Sequence, residues 1–220
     1  MYQIYLRHPF TMIIAGPTGC GKTQWIKNLI AKNASVIYPP PDRIIYCYGE
    51  YQQCFNEMKN VELYSGLDRT VIESLSPNEP NLLILDDLMD EISDDEFVSK
   101  LFTKLSHHRN ISIILILQNF FNRGKVMRTL SLNSQYIVLF KNPRDKAQSM
   151  HLARQIYPNY IKKFLSIYNI ATEEPFSYLF IEIKPETPEE VRLLSNVLNE
   201  KAHITAYKVI FTFLTIRSLS

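Results

Sequence analysis

The sequence predicts an α/β fold in which helices cover both faces of a mainly parallel central sheet. Apolar runs alternate with amphipathic segments along almost the whole chain, a pattern typical of parallel strands joined by helices. A glycine-rich turn also follows the first long apolar run and precedes a helix-like stretch. With 220 residues, 46% of them hydrophobic, the chain can build one such domain. We expect a single domain over residues 1–200 and a C-terminal tail, residues 201–220, whose structure the sequence leaves open.

Six apolar runs predict the strands, and six amphipathic segments predict the helices. The expected strands are Thr11–Ala15, Arg43–Tyr48, Asn81–Asp86, Ile111–Gln118, Tyr136–Phe140 and Tyr178–Ile183. The expected helices are Lys22–Asn33, Arg69–Leu75, Asp94–His107, Lys125–Ser131, Lys146–Tyr157 and Tyr160–Tyr168. Ser93 is a candidate N-cap for the third of these helices, whose apolar residues follow the spacing of a buried stripe.

Residues 16–23 read GPTGCGKT and match the phosphate-binding pattern GxxxxGK[ST] in full. Glycines let the backbone N–H groups of such a loop turn towards phosphate oxygens, and the following helix adds its dipole. We expect Lys22 to reach the β- and γ-phosphates of ATP and the Thr23 hydroxyl to hold Mg²⁺. An ordinary tight turn is the alternative, but it rarely combines the GKT ending with a strand–helix frame. The expected nucleotide-binding residues are Gly16, Pro17, Thr18, Gly19, Cys20, Gly21, Lys22, Thr23 and Gln24.

A second motif, LLILDD at residues 82–87, ends a buried strand in two carboxylates. Ligands of open α/β sheets bind at this end of the strands. Asp86 is therefore expected to be the magnesium partner and Asp87 the base that orients the attacking water. A solvated turn gives the same pattern, so the pair acquires its meaning from the phosphate loop. Gln118 ends the next apolar run, where its amide is a candidate sensor of hydrolysis; simple termination at solvent is the alternative.

The spacing of the two motifs refines the fold class. The strand Arg43–Tyr48 fits between them in sequence, so the two site-bearing strands need not be neighbours. A further strand inserted between them characterises the additional-strand division of the P-loop NTPases, which are three-layer sandwiches. With the first five strands numbered along the chain, the expected order in the sheet is 5-1-4-3-2.

Motor ATPases also use an arginine from a neighbouring subunit. Arg109, Arg123 and Arg128 lie near predicted strand ends. We prefer Arg109 as the catalytic residue acting across the interface, with a solvated surface position as the alternative for each. His107 and His108 have no third ligand at metal spacing, which argues against a zinc site.

Composition excludes several classes of protein. The net charge of +2 shows that the whole chain is not a polycation, so contact with a polyanion requires a local patch. Three cysteines without CxxC spacing indicate reduced thiols of an intracellular protein. Arg7, His8 and Pro9 interrupt the first apolar residues, so no signal peptide is expected. The apolar run Val209–Ile216 is too short to span a bilayer, and we expect no membrane partner.

Taken together, GPTGCGKT, LLILDD and ILILQN resemble the genome-packaging ATPases of the FtsK–HerA superfamily. The sequence is most similar to the poxvirus-type branch found in large DNA viruses, virophages, adintoviruses and Polinton-type elements. Further support comes from RIIYCYGE at residues 43–50, SHHRN at 106–110 and FKNPRD at 140–145. The resemblance covers about residues 8–195. Asp87 stands where much of the superfamily has Glu, although an acidic pair occurs in the poxvirus-type branch.

The resemblance implies a homo-oligomeric ring that uses ATP and Mg²⁺ to thread double-stranded DNA into a capsid. It also implies a capsid or portal protein as partner and a place inside an infected or host cell, with association with the virion as a further expectation. Lys141, Arg144 and Lys146 belong to a positively charged segment that could grip DNA phosphates without reading bases. A solvated helix face is the alternative for this segment.

Two other functions remain open from the sequence. A small P-loop kinase acting on a nucleoside or polynucleotide would carry a mobile arginine-rich lid, and no compact lid is visible. A non-translocating ATP switch, such as a helicase loader, would share the nucleotide site without moving DNA.

Overall fold

The computed structural model describes residues 5–92, 95–120, 125–199 and 202–209. The strands are β1 (Leu6–Arg7), β2 (Thr11–Ala15), β3 (Ile37–Tyr38), β4 (Arg43–Tyr48), β5 (Glu62–Ser65), β6 (Asn81–Asp86), β7 (Ile111–Leu117), β8 (Tyr136–Phe140), β9 (Tyr178–Glu182), β10 (Leu193–Ser195) and β11 (Thr205–Tyr207). The α-helices are α1 (Lys22–Ala31), α2 (Asn33–Val36), α3 (Arg69–Glu73), α4 (Met89–Ile92), α5 (Glu96–Lys100), α6 (Ser106–His108), α7 (Lys125–Asn133), α8 (Lys146–Ile156) and α9 (Ile161–Ala171).

Nine of these strands form one sheet in the order β11-β10-β9-β8-β2-β7-β6-β4-β5. The strands from β8 to β5 pair in parallel, whereas β9, β10 and β11 are added at one side by antiparallel pairing. The predicted α/β class with a mainly parallel sheet is therefore confirmed. Within the sheet β8, β2, β7, β6 and β4 follow one another, and β7 separates the two site-bearing strands β2 and β6.

The central strands are mostly apolar, as expected of strands that are covered by helices on both faces of the sheet. Every residue of β2, β6, β7 and β8 is buried. Alternate residues face opposite layers: Ile13 and Leu115 pack in one core, and Met12 and Ile114 in the other. Two packed layers therefore fix the sheet, and its parallel strands bring their carboxyl ends to one edge.

The helix predicted over Asp94–His107 differs in detail. It begins after Asp95, whose side chain accepts a hydrogen bond from the Phe97 N–H (2.8 Å), so Asp95 is the N-cap. Ser93, the candidate cap, lies outside the described residues. A π-helical turn at Leu101–Leu105 separates α5 from α6. Apolar spacing alone does not distinguish this wider turn from an α-helix.

The described part of the tail joins the sheet. Strand β11 pairs antiparallel with β10, and Val209 after it is buried. The sheet thus continues beyond residue 200, the predicted end of the domain. This strand was not predicted, because three residues carry too short an alternation to be recognised in a sequence. Residues 210–220, and with them most of the apolar run Val209–Ile216, lie outside the described part. Within the described ranges no helix has the length and apolarity needed to cross a membrane.

Candidate nucleotide-binding site

The loop that joins β2 to α1 requires glycine at several positions. Gly19 and Gly21 have φ of 79° and 107°, in the left-handed region that other residues rarely adopt. A Cβ added to Gly16 would lie 2.6 Å from both the Cys20 Sγ and the Phe140 Cβ, so no side chain fits there. The loop therefore keeps its backbone close to the end of β8 and leads directly into the N-terminus of α1.

Lys22, the first residue of α1, folds back over the loop. Its ammonium group donates to the carbonyl oxygens of Gly16 (2.5 Å) and Pro17 (3.0 Å). The positive charge thus lies over the loop, next to the helix N-terminus, where both favour a bound anion. Beside it, burial raises the pKa of the Cys20 thiol, which stays protonated and neutral.

Asp86 ends β6 as a buried carboxylate, only 6% exposed. Desolvation raises its pKa above the ordinary value, while a hydrogen bond from the Tyr46 hydroxyl (2.6 Å) and the charge of Lys22 oppose that rise. Tyr46 lies on the neighbouring strand β4 and is fully buried. Tyr46 was not predicted from the sequence, because its contact with Asp86 depends on the register between two strands that are distant in sequence.

Asp87 follows in a left-handed backbone conformation (φ 54°), which asparagine and aspartate adopt more readily than most residues. Its Oδ1 accepts a hydrogen bond from the Gln118 amide (3.2 Å), so the predicted base and the predicted sensor are in contact. The backbone here is crowded. A Cβ on Gly49 would lie 2.4 Å from the Asp87 carbonyl oxygen, so glycine at position 49 allows the Asp87 backbone to lie where it does.

These side chains line one cavity of about 550 Å³ at the carboxyl edge of the sheet. It brings together the predicted residues Thr18, Gly19, Gly21, Lys22, Thr23, Gln24, Asp86, Asp87 and Gln118. Glu50 and Gln52 also line it, and Gln52 accepts a hydrogen bond from the Thr23 hydroxyl (3.3 Å). Glu50 and Gln52 were not predicted from the sequence, although both lie within four residues of the end of β4, the neighbour of β6.

The oxygen atoms of Thr23 and Asp86 fit a magnesium ion. Mg²⁺ takes hard oxygen ligands, usually one or two carboxylates together with substrate phosphates. Both side chains line the same cavity, and a cation would compensate the buried charge of Asp86.

Arg109 and Arg128, the candidate arginines that the structure describes, do not line this cavity. Arg109 precedes β7, whereas Gln118 follows it, so the two lie at opposite edges of the sheet, about 23 Å apart for a seven-residue strand. The Arg109 guanidinium donates to the Glu73 carbonyl oxygen (3.1 Å). Arg128 is exposed on α7, and Arg123 lies outside the described residues. Arg109 is therefore too far away to act on the nucleotide site of its own subunit.

The basic segment lies at the same edge of the sheet as the phosphate loop, because it follows β8, a strand parallel to β2. Lys141, Arg144 and Lys146 are all exposed. The Asn142 side chain accepts hydrogen bonds from the backbone N–H groups of Arg144 (3.1 Å) and Asp145 (3.2 Å), which fixes the turn that carries them. The segment therefore presents three cations on a structured turn.

Comparisons with known proteins identify a family and two curated relatives. The family model described as "Poxvirus A32 protein" matches residues 1–130. Packaging protein 1 of canine adenovirus serotype 2 (strain Toronto A 26-61) is 20% identical over an alignment that covers 81% of this chain and 48% of that protein. Packaging protein 1 of canine adenovirus serotype 1 (strain CLL) is 19% identical with the same coverage of each chain. The chain spans about half the length of the curated relatives it matches.

Two solved structures have a similar fold. The crystal structure of the DNA-packaging ATPase from Sulfolobus turreted icosahedral virus has a TM-score of 0.57 at 11% identity, covering 94% of this chain and 100% of that one. The genome packaging NTPase from Sulfolobus turreted icosahedral virus 2, in complex with ATP-gammaS, has a TM-score of 0.54 at 13% identity, covering 91% and 98%. At these identities the similarity shows a shared P-loop NTPase fold.

Proposed function

Because the chain belongs to the Poxvirus A32 protein family, we propose that it is an ATP-hydrolysing motor that moves double-stranded DNA into a viral or virus-like capsid. The family match confirms the resemblance to poxvirus-type packaging ATPases. The observation that carries the proposal is the single cavity in which the phosphate loop, both carboxylates and the Gln118 amide meet. The names of the adenovirus relatives, both packaging proteins, support the same function.

In the proposed reaction the loop and Lys22 bind the phosphates of ATP. The backbone N–H groups of the loop surround the phosphates, and the Lys22 ammonium exchanges its carbonyl partners for the β- and γ-phosphate oxygens. The Thr23 hydroxyl and Asp86 would hold Mg²⁺, which would supply further positive charge against those oxygens. The Tyr46 hydroxyl, which donates a hydrogen bond to the Asp86 carboxylate, favours the ionised form needed for this task.

Asp87 is the proposed base that orients the attacking water. Gln118 donates to Asp87 Oδ1, so the contact with water is assigned to Oδ2. The same amide lies at the end of β7, between the two site-bearing strands, where it can respond to the presence of the γ-phosphate. A change at the phosphate would thus reach Asp87 and Gln118 together, which suits a hydrolysis sensor.

The finer parts of the proposal concern assembly and DNA. In a homo-oligomeric ring, Arg109 would reach the nucleotide site of the neighbouring subunit, since it lies at the far edge of its own sheet. Lys141, Arg144 and Lys146 would contact DNA phosphates without sequence preference. A capsid or portal protein is the proposed docking partner of the ring.

The test is ATP turnover with and without duplex DNA. We expect DNA to stimulate turnover and Lys22→Ala to lower it at least about 100-fold, as loss of a charged phosphate ligand should. Lys27→Ala is the matched control, because Lys27 lies on the same helix but pairs with Glu57. An ATP turnover rate that does not change when DNA is added would favour an ATP switch. Transfer of phosphate to a nucleoside or polynucleotide would favour a kinase.

A further inference from the structure

A second cavity, of about 770 Å³, opens beside the nucleotide cavity. Gly21 and Gln24 line both cavities, so the second one continues from the first around the N-terminus of α1. Apart from Gly21, Gln24 and Phe140, none of the residues that line this second cavity belongs to the sequence motifs or to the proposed hydrolytic residues. Because this second cavity lies beside the phosphate loop, a chemical group attached to phosphates on the loop can enter it.

Four aromatic side chains line this cavity: Trp25, Phe140, Phe176 and Tyr178. Trp25 and Phe140 each pack against Tyr178, and these three form the inner side of the cavity. The Trp25 and Tyr178 rings meet edge to face, with centroids 6.0 Å apart, and the Phe140 and Tyr178 rings are 5.5 Å apart. All three are buried, so this side of the cavity is a rigid apolar surface.

Phe176 forms the outer wall and is the most exposed large hydrophobic side chain among the described residues, at 71%. Packing in the hydrophobic core therefore does not explain why an aromatic residue stands at position 176. Its side chain lies over the loop: a Cβ added to Gly21 would be 3.4 Å from the Phe176 Cβ and Cδ1. The residue has a positive φ of 64°, which is costly for phenylalanine, so the backbone holds the ring at this place against its own preference.

Amide side chains also line this cavity, Gln24 and Asn28 from α1 and Asn199 from the segment after β10, and the remaining lining residues are Ala31, Lys32 and Leu198. The Gln24 Nε2 donates to the Asn28 Oδ1 (3.0 Å), and both side chains reach the cavity from exposed turns of α1. An aromatic surface with amides at its margin is the combination that binds a nucleobase, which offers a flat face for stacking and polar edges for hydrogen bonds. A purely apolar occupant would leave the amides without a role.

We propose that this cavity binds the base and ribose of the nucleoside triphosphate whose phosphates lie on the loop. Phe176 stacks on the base, and Gln24 and Asn28 face its polar edge. The inference rests on the proposed function, because it requires a nucleotide at the loop. It adds that affinity for ATP depends on the base as well as on the phosphates.

The experiment compares ATP with inorganic tripolyphosphate, which carries the phosphates alone, in the presence of Mg²⁺. Affinities are measured by calorimetry on the wild type, Phe176→Ala, Phe176→Tyr and Tyr160→Ala. Tyr160, 43% exposed, is the control for loss of an exposed aromatic ring away from the cavity. Trp25 is the single tryptophan of the chain and lines the cavity, so its fluorescence gives a second readout.

We expect Phe176→Ala to raise the Kd for ATP by about 5-fold to 150-fold, the usual range for loss of a stacking partner, and to leave the Kd for tripolyphosphate unchanged. Phe176→Tyr and Tyr160→Ala should bind ATP as the wild type does, and ATP but not tripolyphosphate should change the Trp25 fluorescence. Unchanged ATP affinity in Phe176→Ala would overturn the inference and leave the proposed function intact. Failure of the wild type to bind ATP would overturn both.

Discussion

The hydrogen bond between Tyr46 and Asp86 provides a direct probe of the buried carboxylate. Tyr46→Phe removes one oxygen atom and keeps the ring in the core. The bond is short, at 2.6 Å, and joins a fully buried hydroxyl to a carboxylate that is 6% exposed, so it is of the strong, charge-assisted kind. Loss of such a bond costs about 1.5–3 kcal/mol. For a chain of 220 residues this corresponds to a fall in Tm of about 3–12 °C.

The same substitution should change the pH dependence of hydrolysis. The Tyr46 hydroxyl lowers the pKa of Asp86, against the larger effect of burial, which raises it. Without the Tyr46 hydroxyl the pKa of Asp86 rises further, so the Asp86 carboxylate becomes protonated at a higher pH. We therefore expect the acid limb of the ATPase pH profile to move to higher pH in Tyr46→Phe.

Tyr136→Phe is the matched control. Tyr136 is equally buried, but its hydroxyl accepts only a long hydrogen bond from the Arg7 N–H (3.4 Å), at the opposite edge of the sheet. Its removal should cost less stability and leave the pH profile in place. Unchanged Tm and an unchanged acid limb in Tyr46→Phe, or an equal shift of the acid limb in Tyr136→Phe, would contradict this role of the Tyr46 hydroxyl.

Three further outcomes are expected. Burial raises the folded-state pKa of Asp86 above its unfolded value. The contribution of Asp86 to stability is therefore full below the unfolded pKa and is lost as pH rises through the folded pKa. Asp86→Asn should raise the nucleotide-free Tm at pH 7, lose that gain in acid, and abolish Mg²⁺-dependent hydrolysis. Gly49→Ala places a Cβ 2.4 Å from the Asp87 carbonyl oxygen, so kcat should fall while the Kd for ATP, measured by calorimetry, holds; a normal kcat would contradict the role of this packing. Arg109→Ala subunits should regain part of their ATPase activity when mixed with Asp87→Asn subunits, and mixed rings that gain nothing would exclude Arg109 as a residue acting across the interface.

The sequence was sufficient for the parts of the site that depend on local order. GPTGCGKT fixes the order strand, loop and helix within a few residues, and LLILDD places two acids where a strand must end. The central strands were equally clear, because burial on both faces leaves runs with almost no polar residue. The contact between Asp87 and Gln118 follows from the same rule, since both end parallel strands at one edge.

The missed residues depend on contacts between distant segments. Tyr46 reaches Asp86 only through the register of β4 against β6, which no short pattern encodes. Phe176 lies over Gly21 because the chain returns to the loop after α9, and in the sequence it is one aromatic residue among many. The three-residue strand β11 carries too little alternation to be predicted.

The central claim is that ATP hydrolysis at this site moves duplex DNA. The most direct test is displacement of a protein roadblock from linear duplex DNA by the assembled protein. We expect displacement that requires ATP and Mg²⁺, that is lost in Lys22→Ala and that is kept in Lys27→Ala. ATP hydrolysis by the wild type at full rate, with the roadblock still in place, would contradict it.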